Sequence, residues 1–149
     1  MQQYFKKLFA YNAWANKRLL DACNEAQTTD HELLSMISHL LIAQEIWACR
    51  IAGTSPQFAL SQMLDLASCE GISAETNVLW NKILDQNLPF ETTFISYKNL
   101  KGEPFETSIV DIAAHVANHS TYHRAQAARV MRILGYKVPV TDFIAYSRL

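Results

Sequence analysis

The chain has 149 residues and a formal net charge of −1, from thirteen Lys and Arg against fourteen Asp and Glu. Because the basic residues are scattered, we expect no nucleic-acid partner, and because the longest apolar stretch, LLIAQEIWACRI, is broken by Gln44 and Glu45, we expect no membrane span. Half of the residues are hydrophobic and 18% are charged, which is typical of a globular domain, so a single domain over residues 1–149 is predicted.

The first residues, MQQYFKKLFAYNAW, contain neither an uninterrupted apolar segment nor a cleavage site of small residues. A cytoplasmic location is therefore predicted. The three cysteines, Cys23, Cys49 and Cys69, form no CxxC pair, and their odd number favours reduced thiols packed in the core.

Long helices are predicted because only four Gly and four Pro interrupt the chain. The first helix is predicted over Gln2–Glu25, where apolar residues recur at helical spacing. The second begins after a cap within residues 28–30, TTD, and continues to about Ala52, where Gly53 ends it.

The middle of the chain carries weaker signals. Residues 54–72 are predicted as a loop with one short helical piece around FALSQMLDLA, bounded by Pro56 and Gly71. Ser73 is predicted to cap a third helix, SAETNVLWNKILDQN, which Pro89 closes.

The last part of the chain begins with an extended segment. In FETTFISYKNLKGEPFETSIVD, alternating β-branched and aromatic residues flank Lys101 and Gly102, and this alternation predicts a small hairpin. A fourth helix is predicted from Ser108 or Ile109 to Leu134, before Gly135. Four helices with a long central connection predict an all-α fold, a four-helix bundle with a small hairpin excursion before the last helix.

Three of the five histidines, His115, His119 and His123, lie in one segment, HVANHSTYHR. At about 100° per residue, His115 and His123 fall about 40° to either side of His119, among apolar residues, so the row is predicted to be buried against the core. Arg124 falls on the opposite side of the helix, away from the predicted core, and we therefore assign it no catalytic role.

The spacing of these histidines limits how they could bind a metal. His115 and His123 are about 12 Å apart along the helix, too far for one metal with bonds of roughly 2.1 Å, whereas either adjacent pair is about 6 Å apart and can converge. His119 is therefore predicted to pair with either His115 or His123. A third ligand must come from another helix, and the candidates are His39, on the inward face of the second helix, and His31, in its capping region.

Other interpretations of the same residues remain open. The histidines could hydrogen-bond one another and hydroxyls such as those of Ser35 or Thr121 in a purely structural bundle, although buried imidazoles from two helices favour a metal. Tyr122 and Gln126 flank the row and could orient a substrate, or simply pack. The pair reads HSTYH rather than HExxH, so the general base of a zinc protease is missing, and the ExxH repeats of a di-iron bundle are absent.

Several segments resemble one known family. YNAWANKRLLDAC, ISHLLIAQEIW, YKNLKGEPFETSIVDIAAHVANHSTYHRAQAARVMRILGY and VPVTDFIAY are similar to the DinB family of damage-inducible proteins, also called YfiT-like metalloenzymes. The resemblance implies a four-helix bundle, commonly a homodimer, with one divalent metal held by His39, His119 and His123. Many relatives have Gly where Ala125 stands here, but a small residue is retained.

The resemblance also implies a function. Family members with established activity are transferases or isomerases that use a low-molecular-weight thiol, such as bacillithiol, mycothiol or glutathione. A metal-bound thiol loses its proton readily and can attack a small electrophile. Nickel or zinc is expected, with iron and manganese as alternatives, and His115 is expected to support the site or line the pocket.

A second hypothesis is a non-catalytic stress-response bundle that binds a metal or a small ligand. An exchangeable coordination position on the metal would distinguish the two, because an enzyme needs one and a structural site does not.

Overall fold

The computed structural model describes residues 1–149, and most of them are helical. The elements in chain order are α1 (Gln2–Glu25), α2 (His31–Ala52), α3 (Leu66–Asp85), β1 (Phe94–Lys98), β2 (Pro104–Ser108), α4 (Ile109–Ile133) and α5 (Phe143–Tyr146). The fold therefore consists of four long helices, one short C-terminal helix and a two-stranded hairpin. None of the helices is both long enough and apolar enough to cross a membrane.

The predicted bounds of α1 and α2 are confirmed. Asp30 caps α2, because its carboxylate accepts a hydrogen bond from the Leu33 N–H at 2.9 Å and so satisfies one of the free amides of the first turn. Gly53 ends the helix at φ 69°, a left-handed conformation that is unfavourable for a residue with a Cβ atom. These two ends fix the helical segment on which His39 lies.

The prediction for α3 is wrong at its start. The helix begins at Leu66 rather than at Ser73, and the predicted helical piece around FALSQMLDLA is not helical before Leu66. Asp65 is the actual cap, because its carboxylate accepts a hydrogen bond from the Ser68 N–H at 2.8 Å. A cap is therefore present in the sequence eight residues upstream of Ser73, before Gly71, which predicts a break at the end of the loop.

Gly71 lies inside α3 instead of ending a loop. A glycine in a helix interior costs about 1 kcal/mol relative to alanine, and the buried side chains of Cys69 and Ile72 on the same segment offset that cost. Ser73, predicted as the cap, is instead buried inside the helix. Tertiary packing thus overrides the local capping signal.

The hairpin and α4 follow the prediction closely. Strands β1 and β2 pair antiparallel, with Phe94 opposite Ser108 and Lys98 opposite Pro104. Ser108 also caps α4, since its hydroxyl accepts a hydrogen bond from the Asp111 N–H at 3.2 Å. The hairpin therefore runs directly into the helix that carries the histidine row.

The four long helices pack in a defined order: α1 and α2 each lie against both α3 and α4, and β1 contacts α2. Two apolar clusters fill the space between the helices. The first contains Leu33, Ile37, Leu40, Leu41, Ile42, Ala127, Val130 and Met131 among others. The second contains Phe5, Phe9, Ala48, Trp80, Ile83, Ile109, Ile112 and Val116 among others. Burying each large aliphatic side chain contributes about 1.5–3 kcal/mol, so both clusters hold α2 against α4 on either side of the histidines.

The cysteines are free and buried, as predicted. Burial and the neighbouring Cys69 raise the pKa of Cys23 to about 11, and burial raises that of Cys69 to about 11. These thiols therefore remain protonated and poorly nucleophilic at neutral pH.

Candidate metal centre

Three imidazoles from two helices meet on one side of the α2–α4 pair. His39 comes from α2, and His119 and His123, one turn apart on the same face of α4, come from the other helix. One ring nitrogen from each residue lies within 4.8 Å of the other two. The ring of His39 is 5.3 Å from that of His119 and 4.6 Å from that of His123, measured between centroids.

This group could hold a metal ion. Its three donors are all imidazoles, which zinc, nickel, copper and iron accept, and small rotations of the side chains would bring the nitrogens to a common centre. Each of the three side chains is only partly buried. One side of the group therefore remains accessible to a small molecule.

The electrostatic environment keeps two of the imidazoles, those of His39 and His119, in the neutral form that binds metals. Burial, together with the neighbouring His123, His39 and His115, lowers the pKa of His119 to about 4. Burial and the charge of His123 also lower the pKa of His39, while the backbone of Leu60 partly opposes the change. At neutral pH, His39 and His119 are therefore neutral, and no proton competes for their metal-binding nitrogens.

The other candidate histidines lie outside this group. Of the two partners that the helical spacing left open for His119, the structure brings His123 into the group and leaves His115 beside it. His115 is exposed rather than buried as predicted, and its ring lies 5.3 Å from that of His119 and 5.5 Å from that of Trp47. His31 is exposed at the first turn of α2 and takes no part.

Tyr122 and Gln126 occupy less direct positions. Tyr122 is 63% exposed, and its ring packs edge-on against that of His123 at 5.2 Å. Neither side chain makes a hydrogen bond within the protein. Without such hydrogen bonds, neither side chain is held in a fixed orientation toward the histidine group.

A cleft of about 400 Å³ opens next to the histidines. Its walls come from α2, from the loop that follows α2, from the hairpin and from α4, and seven of its twelve lining residues are hydrophobic. His39, His115 and His119 form its polar end. A small molecule in this cleft would therefore lie directly against the candidate metal centre.

Sequence analysis missed the other end of this cleft, where Trp47, Arg50 and Tyr97 meet. The Arg50 guanidinium lies 4.4 Å from the ring centre of Trp47 and 4.5 Å from that of Tyr97. Helical periodicity could have revealed part of this arrangement, since Arg50 follows His39 by eleven positions and falls about 20° from it around α2. Tyr97 is supplied by the hairpin and carries no comparable signal.

The prediction for Arg124 is wrong. Its side chain was expected on the far side of α4, away from the core, but it is only 3% exposed. That side of α4 packs against α1, where the guanidinium donates hydrogen bonds to the side-chain oxygens of Asn12 and Asn16 and to the hydroxyl of Tyr11. Burial in this neutral environment lowers the pKa of Arg124.

The amide groups extend this network to α2. Gln44 accepts hydrogen bonds from Asn12 at 3.0 Å and from Asn16 at 3.4 Å, so side chains from three helices are joined. Arg124 directly follows His123, and Gln44 lies five residues after His39. The network therefore holds both histidine-bearing helices against α1.

The geometry defines a class of protein: it is helical and has a candidate metal centre of three histidines at the edge of an apolar cleft. The DinB family model matches residues 1–149, and the chain belongs to the DinB family. It is also similar to Protein DinB of Bacillus subtilis (strain 168), with 23% identity over 167 aligned positions that cover 98% of this chain and 95% of that protein.

Proposed function

We propose that this protein is a metal-dependent enzyme that transfers a low-molecular-weight thiol to a small electrophile, or isomerises such a molecule with the help of the thiol. The observation that carries the proposal is the convergence of His39, His119 and His123 within 4.8 Å at the edge of an open cleft. Family membership agrees with a metal-binding protein.

The number and kind of donors support a catalytic rather than a structural metal. Catalytic zinc sites use three protein ligands, whereas structural sites use four. A divalent metal held by these imidazoles would lower the pKa of a bound thiol and so supply a thiolate at neutral pH. We propose nickel or zinc, with iron or manganese as alternatives, because imidazole is a common ligand of these metals.

The residues of the chain would then position the reactants. His39 and His119 are neutral at neutral pH and free to bind metal. The hydrophobic cleft walls give the apolar parts of the thiol and of the electrophile a surface to pack against. His115, at the polar end of the cleft, is placed to contact a bound molecule, whereas Tyr122 packs against His123 and does not line the cleft.

The proposal extends to the domain organisation, the oligomeric state and the location of the protein. The packing of α1 and α2 against both α3 and α4 supports a single four-helix bundle domain. We further propose a homodimer acting on a small-molecule substrate in the cytoplasm, without a nucleic-acid or membrane partner.

One observation favours the non-catalytic alternative, a stress-response protein that binds a metal or a small ligand. No carboxylate lines the cleft, so no acidic side chain is in place to move a proton during a reaction. The two functions differ in turnover, which only the enzyme would show.

Elemental analysis after metal loading tests the metal centre. Tag-free protein would be loaded with nickel, zinc or manganese at neutral pH and dialysed, beside the variants His39→Ala and His123→Ala. We expect stoichiometric metal in the wild type and a loss in both variants, whereas His31→Ala, a control in an exposed histidine, should retain it. Failure of the wild type to retain any of the metals would contradict the proposal.

A thiol screen then separates the enzyme from the binding protein. Bacillithiol, mycothiol and glutathione would be tested with small electrophiles, and we expect metal-dependent consumption of one thiol by the wild type. Stoichiometric metal without consumption of any thiol would favour the binding protein.

A further inference from the structure

We propose that Arg50 makes the cleft a receptor for oxyanions, so that the molecule that reaches the histidines carries a carboxylate or phosphate at its far end, joined to an apolar portion. This inference rests on the proposed function, because it describes the substrate or cosubstrate of the same site. It depends on three features of the cleft: a free cation, the lack of any opposing charge, and the distance between its two ends.

The cation is held in place by the surrounding residues. Arg50 lies in the last turn of α2, with its guanidinium against the rings of Trp47 and Tyr97. One of its nitrogens donates a hydrogen bond to the backbone carbonyl of Lys98 at 3.2 Å. Helix and hairpin together therefore orient the guanidinium before any ligand arrives, which lowers the cost of ordering it on binding.

Most of the hydrogen-bonding capacity of Arg50 is unused. A guanidinium has five N–H donors, and the bond to Lys98 is the only one it makes within the protein. No carboxylate lies within ion-pair distance of it: the two ion pairs of the structure are Lys6–Asp85 and Lys17–Asp21. The free edge of a guanidinium matches a carboxylate or phosphate, which can accept two parallel hydrogen bonds.

The other residues of the cleft strengthen its preference for an oxyanion. Arg50 is the only Lys, Arg, Asp or Glu among the twelve lining residues, and seven of the others are hydrophobic. With no acidic side chain to offset the positive charge, the cleft disfavours a cation and attracts an anion. The hydrophobic walls, which include Ile46, Leu60 and Phe105, suit the apolar portion of the ligand.

The distance between the two ends sets the shape of the ligand. His39 and Arg50 are eleven residues apart on α2, which is about 16 Å along the helix axis at about 1.5 Å per residue. Because side chains on a helix lean toward its N-terminus, Arg50 reaches back toward the histidines and lines the same cleft. The ligand is therefore elongated, with its oxyanion at the opposite end from the group that meets the histidines.

Ligand titration of the metal-free protein tests this inference apart from the metal centre. Phenylacetate, phenyl phosphate and the uncharged phenylacetamide would be titrated at neutral pH, and the indole N–H signal of Trp47 would be followed by ¹⁵N NMR. We expect at least one of the two anions to shift the Trp47 signal and to bind at least about tenfold more tightly than phenylacetamide, a difference of about 1.4 kcal/mol. The two anions separate a carboxylate receptor from a phosphate receptor.

Two variants assign the effect to Arg50. Arg50→Gln should lose the preference for the anion, whereas Arg18→Gln should keep it, because Arg18 also lies over a tryptophan and donates to a backbone carbonyl but lies outside the cleft. An unchanged Trp80 indole signal would show that each variant is folded, since that buried indole donates to the Gln44 carbonyl.

Three results would overturn the inference: equal binding of the anions and phenylacetamide, an unchanged anion preference in Arg50→Gln, or no shift of the Trp47 signal by either anion up to its solubility limit. Each is independent of metal retention. Loss of the proposed enzymatic function and loss of the oxyanion receptor are therefore separate outcomes.

Discussion

His119 has a pKa far below the ordinary value of a histidine. It lies between His115 and His123 on its own helix and faces His39 across the α2–α4 contact. Its pKa is lowered to about 4 because burial and three neighbouring imidazoles all oppose a positive charge. Because His119 binds protons poorly, its ring is available to a metal ion. The same low pKa makes the folded protein less stable in acid.

The free energy of unfolding of the metal-free protein should fall as the pH drops from about 6.5 to about 4. The pKa of His119 is near 6.5 in the unfolded chain and about 4 in the folded chain, so in this interval the unfolded state binds a proton that the folded state does not. Urea unfolding at a series of pH values should give a flatter dependence for His119→Gln than for the wild type. The control His31→Gln should keep the wild-type slope, and equal slopes in all three proteins would contradict the prediction.

At the residue scale, the sequence predicts some side-chain positions around the histidines correctly and others wrongly. Helical spacing predicts that His115, His119 and His123 share one face and that His39 faces inward from α2, because these relations depend only on the geometry of single helices. The choice of His123 over His115 depends on where α2 crosses α4, and helical spacing alone cannot provide that. Arg124 was misplaced because its environment is formed by Asn12 and Asn16 of another helix.

Among the elements, α3 shows most clearly how packing outweighs local sequence signals. The sequence predicts a loop with one short helical piece over residues 54–72, because Gly71 suggests a break, although Asp65 caps a helix that begins at Leu66. The bounds of α1, α2 and the hairpin are confirmed. Asp30 and Gly53 mark the ends of α2, whereas α1 has no side-chain cap at its start and is predicted by the helical spacing of its apolar residues. Where a glycine lies on an exposed helical surface, sequence alone does not show that buried neighbours keep the helix intact.

Gly71→Ala should raise the free energy of unfolding by about 0.5–1 kcal/mol, because alanine loses less backbone entropy in a helix. A Cβ atom at this position would meet no heavy atom within 4 Å. Gly53→Ala is the matched control: its Cβ would also meet no atom within 4 Å, but its φ is 69°, so alanine there should be destabilising. Urea unfolding of both variants measures the difference, and a shift of the same sign in both would be evidence against this account.

The polar network around Arg124 acts on the whole molecule because it joins α1, α2 and α4. A buried guanidinium without a carboxylate partner is stable here because four neutral side chains accept its hydrogen bonds: Tyr11, Asn12, Asn16 and Thr121. Apolar clusters alone permit several rotations of one helix about its axis, whereas hydrogen bonds of fixed direction favour one of them. The network thereby fixes the rotation of α4 that points His119 and His123 toward α2.

Arg124→Met should lower the free energy of unfolding by about 2–4 kcal/mol, because Asn12 and Asn16 would keep buried oxygens without donors. Arg129→Met, at an exposed position of the same helix, should change it by less than about 0.5 kcal/mol. Urea unfolding gives both values. A loss no larger than that of the Arg129 variant would show that the network contributes little to stability.

The two sides of the cleft differ in how freely they could change during evolution. The helices that carry the histidines are held by the apolar clusters and by the Arg124 network, so most substitutions there disturb the whole fold. The hairpin contributes Tyr97, Leu100 and Phe105 to the cleft, yet it is a short local element with largely exposed side chains. Replacing residues 94–107, before the Ser108 cap of α4, could thus change which molecules enter while the histidine group is inherited intact, a separation that lets one scaffold vary the ligands of its cleft.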